Sequence, residues 1–194
     1  SGPLNLKTTV RVPKKGMWKR IDLEMENTGD EDMDVQAAYY TEPVLGVNRG
    51  TARFTTARWD SGALYLRNPF AAVTGSAVLT ALGGADNCEC DRGAFLMGSW
   101  GGGSLSPLPD PCAAVVRRLH LPPKRKETVS FVLGFARSEQ AVRRLPEMAA
   151  REDAYAAVRD LPQLNTPDDA LNTLCSFWLP HQVLACRLYA RTGF

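Results

Sequence analysis

RIDLEMENTGDEDMDVQAAYY, residues 20–40, decides how this 194-residue chain is read. Ile21, Leu23 and Met25 alternate with Arg20, Asp22, Glu24 and Glu26, the period of a strand with one apolar face. Asn27-Thr28-Gly29-Asp30 follows, a cluster that turns a chain and tolerates positive φ. Met33 to Tyr40 then resumes as a second strand, so the two are expected to pair as a hairpin.

The pattern extends outward in both directions. From Thr8 to Phe135 the period stays near two and is broken by turns. Further strands are expected at Ala52–Ala57, Ala63–Arg67, Ser76–Leu82, Ala113–Leu119 and Thr128–Phe135, the last with Val129, Phe131, Leu133 and Phe135 on one face. Strands with one apolar and one mixed face pack as sheet on sheet, so residues 1–136 are read as an antiparallel β-sandwich. Gly98 to Ser104 is a glycine-rich loop, and it lacks the lysine and the strand-to-helix context of a phosphate cradle. From Ser138 to Val158 the composition turns to Ala, Arg and Glu. Residues 137–164 are therefore read as a helical linker, with Pro146 expected to split a short helix from a second one starting near Glu147.

Residues 165–194 read as the entry to a larger helical structure. Thr166 is placed as the N-cap, with Pro167 at the first helical position and Asp168 and Asp169 at the positive helix end. Leu171, Leu174, Cys175, Trp178 and Leu179 recur at helical spacing. Pro180, lacking an N–H, is expected to kink or restart the helix. Val183, Leu184, Cys186, Leu188 and Tyr189 then continue the face to Gly193. So apolar a segment calls for partner helices, and the chain is expected to be a fragment of a longer protein.

Composition narrows the function classes. A net charge of +2 with scattered arginines gives no nucleic-acid footprint. Lys14-Lys15 and Lys124 to Lys126 lie beside Gly16 and Pro123 and read as solvated turns. No apolar run approaches the roughly 20 residues of a membrane helix. Five cysteines cannot all pair, so reduced thiols and a cytoplasmic setting are expected. Cys88-x-Cys90 is too short and isolated for a zinc knuckle, and His120 and His181 are the only imidazoles, so no metal or other cofactor is expected.

Five segments, in order, resemble one family of carbohydrate enzymes: YYTEPVLGVNR (39–49), ARWDSGALYLRNPF (57–70), DRGAFLMG (91–98), DPCAAV (110–115) and WLPHQVLACRLYARTGF (178–194). They resemble the family-94 glycoside phosphorylases, which include cellobiose and chitobiose phosphorylases and the phosphorylase-like part of cyclic β-1,2-glucan synthases. The resemblance implies a galactose-mutarotase-like supersandwich, linker helices and an (α/α)₆ barrel that holds the active site. It places residues 165–194 in the first barrel helices. In that family an aspartate protonates the glycosidic oxygen while inorganic phosphate attacks the anomeric carbon, inverting it to a sugar 1-phosphate. The matching residues lie beyond Phe194, so no catalytic residue is assigned and the chain alone is expected to be inactive. The implied setting is cytoplasmic, or the cytoplasmic part of a membrane-anchored glucan synthase. The resemblance also implies that the first part of the sandwich is absent. Exposed strand edges would follow, and a homo-oligomer, a dimer at least, is expected.

Glu42 and Asp60 are carboxylates of the type an inverting acid–base pair needs, but the resemblance assigns both to the sandwich. His181, on an apolar helix, reads as a packing residue. Trp59 is expected in or near the sandwich core. Trp100, in the glycine-rich loop, is the candidate platform for a β-linked gluco-oligosaccharide, and the alternative to an enzyme fragment is a free-standing carbohydrate-binding or protein-interaction β-sandwich. Cys112 and Cys186 have no histidine beside them in sequence to activate a thiol.

Overall fold

A computed structural model describes residues 2–13, 16–98, 100, 102–106, 110–151 and 163–183. The chain divides into two compact units, Ser1–Tyr155 and Ala156–Phe194, described in turn.

Among the described residues, nine strands of the first unit form two antiparallel sheets. They are β1 (Leu4–Arg11), β2 (Trp18–Asn27), β3 (Met33–Thr41), β4 (Thr56–Asp60), β5 (Ala63–Arg67), β6 (Ser76–Ala81), β7 (Asn87–Asp91), β8 (Pro111–Leu121) and β9 (Lys126–Ala136). The larger sheet runs β1-β2-β9-β6-β5-β4 and the smaller β3-β8-β7. Met25, Leu64, Leu66, Leu79, Val129 and Phe131 of the large sheet close on Ala37, Cys88, Cys90, Val115 and Leu121 of the small one. Alternation put these residues on one face of each strand, and their burial against each other drives the sandwich together. Trp59, in β4, packs against the same core.

The expected hairpin of residues 20–40 does not form. β2 pairs with β1 and β9, whereas β3 pairs with β8 in the other sheet. The turn at residues 28–32 therefore carries the chain across the sandwich, and the β8–β9 turn makes the same crossing beside it. Asn27 joins the two crossings. Fully buried, it donates from Nδ2 to the Glu31 and Leu121 carbonyls at 2.8 and 3.0 Å, and its Oδ1 accepts from Gly29 N–H at 2.9 Å. Its own N–H donates to the Arg125 carbonyl. These bonds satisfy backbone groups that strand pairing would otherwise have taken.

Six strands are faced by three, so the large sheet overhangs at β1 and β2. Leu6 and Val10 share the core-facing side of β1 yet are each 61% exposed. β3 is the neighbouring edge of the small sheet. Two apolar side chains of the large sheet's edge strand thus stand bare.

The outer faces are each covered by a helix. α1 (Arg92–Leu96) sets Phe95 on Cys112 and Ala114 of the small sheet, and its N-cap Asp91 accepts from Ala94 N–H. α2 (Glu139–Arg151) lays Val142, Leu145 and Ala149 on Trp18, Val78 and Val132 of the large sheet. β9 is therefore apolar on both faces. Gly134 lets α2 come this close, since a Cβ there would sit 2.7 Å from Leu145 Cδ1 and 3.1 Å from Trp18 Cβ.

Three other local expectations change. Ala52–Ala57 is not one strand: residues Arg49–Phe54 form a 3₁₀ turn and β4 begins at Thr56. Thr51 starts that turn, donating from both its N–H and its hydroxyl to the Asn48 carbonyl. β7, short and carrying only cysteines as apolar residues, was not foreseen. Pro146 lies inside α2 without ending it. The apolar contacts of Val142, Leu145 and Ala149 on either side hold the helix through the lost N–H.

In the second unit the helix starts two residues later than read. The N-cap is Asp168, accepting from Ala170 and Leu171 N–H, while Thr166 bonds to Asn172. α3 (Asp169–Thr173) runs through a π turn (Leu174–Trp178) into α4 (Leu179–Val183). Pro180 neither stops nor restarts it. Leu179 N–H reaches back five residues to the Leu174 carbonyl, the wider register that absorbs a missing donor just ahead of Pro180. Leu171, Leu174, Phe177, Trp178, Leu179 and Val183 are exposed in this unit. The expectations for Leu184, Cys186, Leu188, Tyr189 and Gly193, and for a helix beyond Arg151, fall outside the described residues, as do Lys14 and Lys15. No described helix is long and apolar enough to cross a membrane.

Candidate functional site

Strand register gathers three of the resembling segments at one end of the small sheet. Thr41 is opposite Ala113 and Asp91 opposite Pro111, so Glu42, Arg92 and Asp110 emerge together where β3, β7 and β8 end. The 3₁₀ turn brings Arg49 to the same place.

The four close into a ring of charge. Tyr40 Oη donates to Glu42 Oε1 at 2.5 Å, Arg92 Nε donates to the same oxygen at 2.7 Å, and Arg49 holds Oε2. The same guanidinium groups reach Asp110, Arg92 at 3.2 Å and Arg49 at 3.4 Å. The Tyr40 hydroxyl bond, then the two arginines, hold Glu42 down to about 2. Burial, then the Glu42 carboxylate, pushes Tyr40 up to about 12. Glu42 is thus a fixed carboxylate with both oxygens engaged, and no proton is at hand for general-acid work near neutral pH. Beside it opens a cleft of about 330 Å³ lined by Glu42, Pro43, Arg49, Arg53 and Asp110 among others.

Asp60 lies in a separate cluster, at the end of β4. It accepts from Ser61 Oγ at 2.9 Å and from Arg143 of α2 at 3.0 Å, with Arg58 at 3.4 Å. The Ser61 bond and Arg143 lower its pKa. Glu42 and Asp60 share no partner, and the structure does not assemble them into an acid–base pair.

Trp100 is the outer member of a stack of three rings. It lies flat on Phe95 (5.4 Å between centroids, 5° between planes), and Phe95 lies on Tyr40 (4.9 Å, 21°). It remains 36% exposed. One face therefore does structural duty, covering Phe95, while Tyr40 couples the stack to the charged ring. The stack and the ring were not legible as one unit in the sequence, although the three resembling segments at this end contribute all four charged residues, Glu42 and Arg49 from the first, Arg92 from the second and Asp110 from the third.

The other residues have settled roles. Cys88, Cys90 and Cys112 are buried in the sandwich, and burial pushes their thiols up to about 11, 12 and 12. They are inert thiols rather than nucleophiles or metal ligands. His120 is exposed on β8, 2.9 Å from Asp34 and 3.7 Å from Asp32, and the bond to Asp34 raises its pKa. His181 is exposed and tilts against Trp178 rather than packing into a core. Cys186 is outside the described residues.

The chain is 30% identical over 206 residues to the cyclic β-(1,2)-glucan synthase NdvB of Rhizobium meliloti (strain 1021), an alignment covering 91% of this chain and 7% of NdvB. Among solved structures, a polysaccharide lyase is similar with a TM-score of 0.48 and 16% identity, over 77% of this chain and 22% of the lyase. A putative kojibiose phosphorylase from the human microbiome gives a TM-score of 0.42 and 10% identity, over 77% of this chain and 19% of that one. The family profile described as "Glycosyl hydrolase 94, supersandwich domain" matches residues 1–151, the two sheets with α1 and α2. The chain therefore belongs to the glycosyl hydrolase 94 supersandwich family.

Proposed function

We propose that this chain is a non-catalytic part of a longer carbohydrate-active enzyme, either a glycoside phosphorylase or a cyclic β-1,2-glucan synthase. The observation that carries the reading is the Glu42 ring. At the sheet end where three resembling segments meet, the carboxylates are neutralised by Arg49 and Arg92 rather than poised for proton transfer. Such a ring fixes loops, and fixed loops suit a docking surface for a catalytic barrel. In this reading α2 leads toward that barrel and the helix beginning at Asp169 belongs to it. Inorganic phosphate would be a reactant of the parent enzyme, bound in its barrel. The exposed Leu6 and Val10 on the edge strand β1 favour pairing with further β structure, including a second copy in a homodimer. A cytoplasmic setting is part of the same proposal and rests on the three buried reduced thiols.

The test uses the longer enzyme that carries this domain. Arg92→Ala should lower its melting temperature and leave KM for the glycoside unchanged. Loss of kcat at an unchanged melting temperature would overturn the supporting role.

A second reading is favoured by one observation, the exposure of Trp100 at the end of an aromatic stack. In it Trp100 contacts a β-linked gluco-oligosaccharide. Titration with such oligosaccharides should weaken on Trp100→Ala, and binding unchanged by that substitution would remove it from any sugar site.

A further inference from the structure

At one corner of the outer face of the large sheet a groove opens against the start of α2, whose Glu139 and Val142 form one of its walls. Register places Thr56 opposite Arg67, and β5 pairs with β6 so that Arg67 falls beside Ser76, which in turn faces Ala136 of β9. Thr56, Arg67 and Ser76 thus stand in one row across three adjacent strands, about 4.8 Å apart. Arg137 follows at the end of β9. These four residues line one groove of about 320 Å³, together with Thr74 and with Arg58 from the next row.

The charges in this groove do not balance. Glu139 lines it and Asp60 lies nearby, and both carboxylates are engaged by Arg58 and Arg143. Those two arginines also lie over the Tyr65 ring, at 5.1 and 5.3 Å, so that ring is already occupied. Arg67 and Arg137 have no acidic partner among the described residues, and both are exposed. Two uncompensated guanidinium groups flanked by hydroxyl donors are chemically suited to a tetrahedral oxyanion, because guanidinium presents paired N–H donors to such oxygens.

We propose that this groove binds a phosphate-type oxyanion through Arg67 and Arg137, with the Ser76 and Thr74 hydroxyls as further donors. The site is separate from the Glu42 ring and does not depend on the function proposed above. The oxyanion has two chemical sources, inorganic phosphate and a sugar phosphate ester. With Tyr65 covered by arginines, the groove offers no free aromatic face to a sugar, so the two should bind alike.

The experiment is an amide NMR titration of the purified chain at low ionic strength, with inorganic phosphate in one arm and glucose 1-phosphate in the other. Saturable shifts at Gly75, Ser76 and Arg137 are expected. Binding should weaken at least tenfold in Arg67→Gln/Arg137→Gln, weaken with added NaCl, and be unchanged in Arg125→Gln, an exposed arginine of the β8–β9 turn. Both substituted arginines are exposed, and an unchanged melting temperature confirms that the double variant is folded. Preference for glucose 1-phosphate would keep the oxyanion site and add a sugar contact outside the Tyr65 ring. Absence of saturable shifts in either arm, or affinity unaltered in the double variant, would overturn the proposal and leave these arginines to a protein contact.

Discussion

Replacing Asn27 by alanine should cost about 2–4 kcal/mol of stability. The figure follows from what its side chain does. Three hydrogen bonds are lost, at about 1 kcal/mol each, and the Leu121 carbonyl is left buried without that partner. Equilibrium unfolding in urea, followed by circular dichroism and tryptophan fluorescence, gives the number directly. Asn27→Asp is the sharper variant. It keeps the acceptor for Gly29 but points an oxygen at the two carbonyls that now receive Nδ2 donors, so it should be less stable than the alanine variant at neutral pH. Acidification that protonates the new carboxyl should recover part of the loss. The reasoning is refuted if Asn27→Ala changes stability by less than about 0.5 kcal/mol, for then the paired crossings do not depend on this side chain.

Other consequences are open to measurement. Gly134→Ala puts a methyl group 2.7 Å from Leu145 Cδ1 and should destabilise by about 1–3 kcal/mol in the same urea assay, unless Leu145 yields freely. Glu42 has a folded pKa of about 2 against an ordinary 4.5, so its contribution to stability is complete above pH 4.5 and is lost as pH falls toward 2. Melting curves across that window should fall more steeply for the native chain than for Glu42→Gln. In native-state alkylation at pH 8 read by mass spectrometry, Cys88, Cys90 and Cys112 should stay unmodified while the half-exposed Cys175 reacts; early labelling of Cys112 would contradict its burial.

The strands were legible because alternation survives in their sequences, most clearly at Val129, Phe131, Leu133 and Phe135. Their partners were not. Residues 20–40 alternate identically whether the two strands pair or cross to different sheets, and the deciding residue, Asn27, looks like any turn asparagine. Its role depends on Leu121 and Arg125, about a hundred positions away. The charged ring was hidden for the same reason, since Glu42, Arg49, Arg92 and Asp110 meet only through the β3–β8–β7 register. At α2, tertiary packing of Val142, Leu145 and Ala149 overrode the local signal of Pro146. The N-cap of the last helix was shifted by competition between neighbours, Asp168 taking the N–H groups and Thr166 turning to Asn172. The five resembling segments pointed to the family without needing any of these contacts, and the family profile over residues 1–151 agrees.

In the proposed role this domain positions and supports but does not itself cleave. The most direct measurement incubates the folded, purified chain with β-linked gluco-oligosaccharides and inorganic phosphate and quantifies sugar 1-phosphate over time. No release above a protein-free blank is expected. Sustained turnover that Glu42→Gln abolishes would contradict it, since the ring would then be an active site and not a brace.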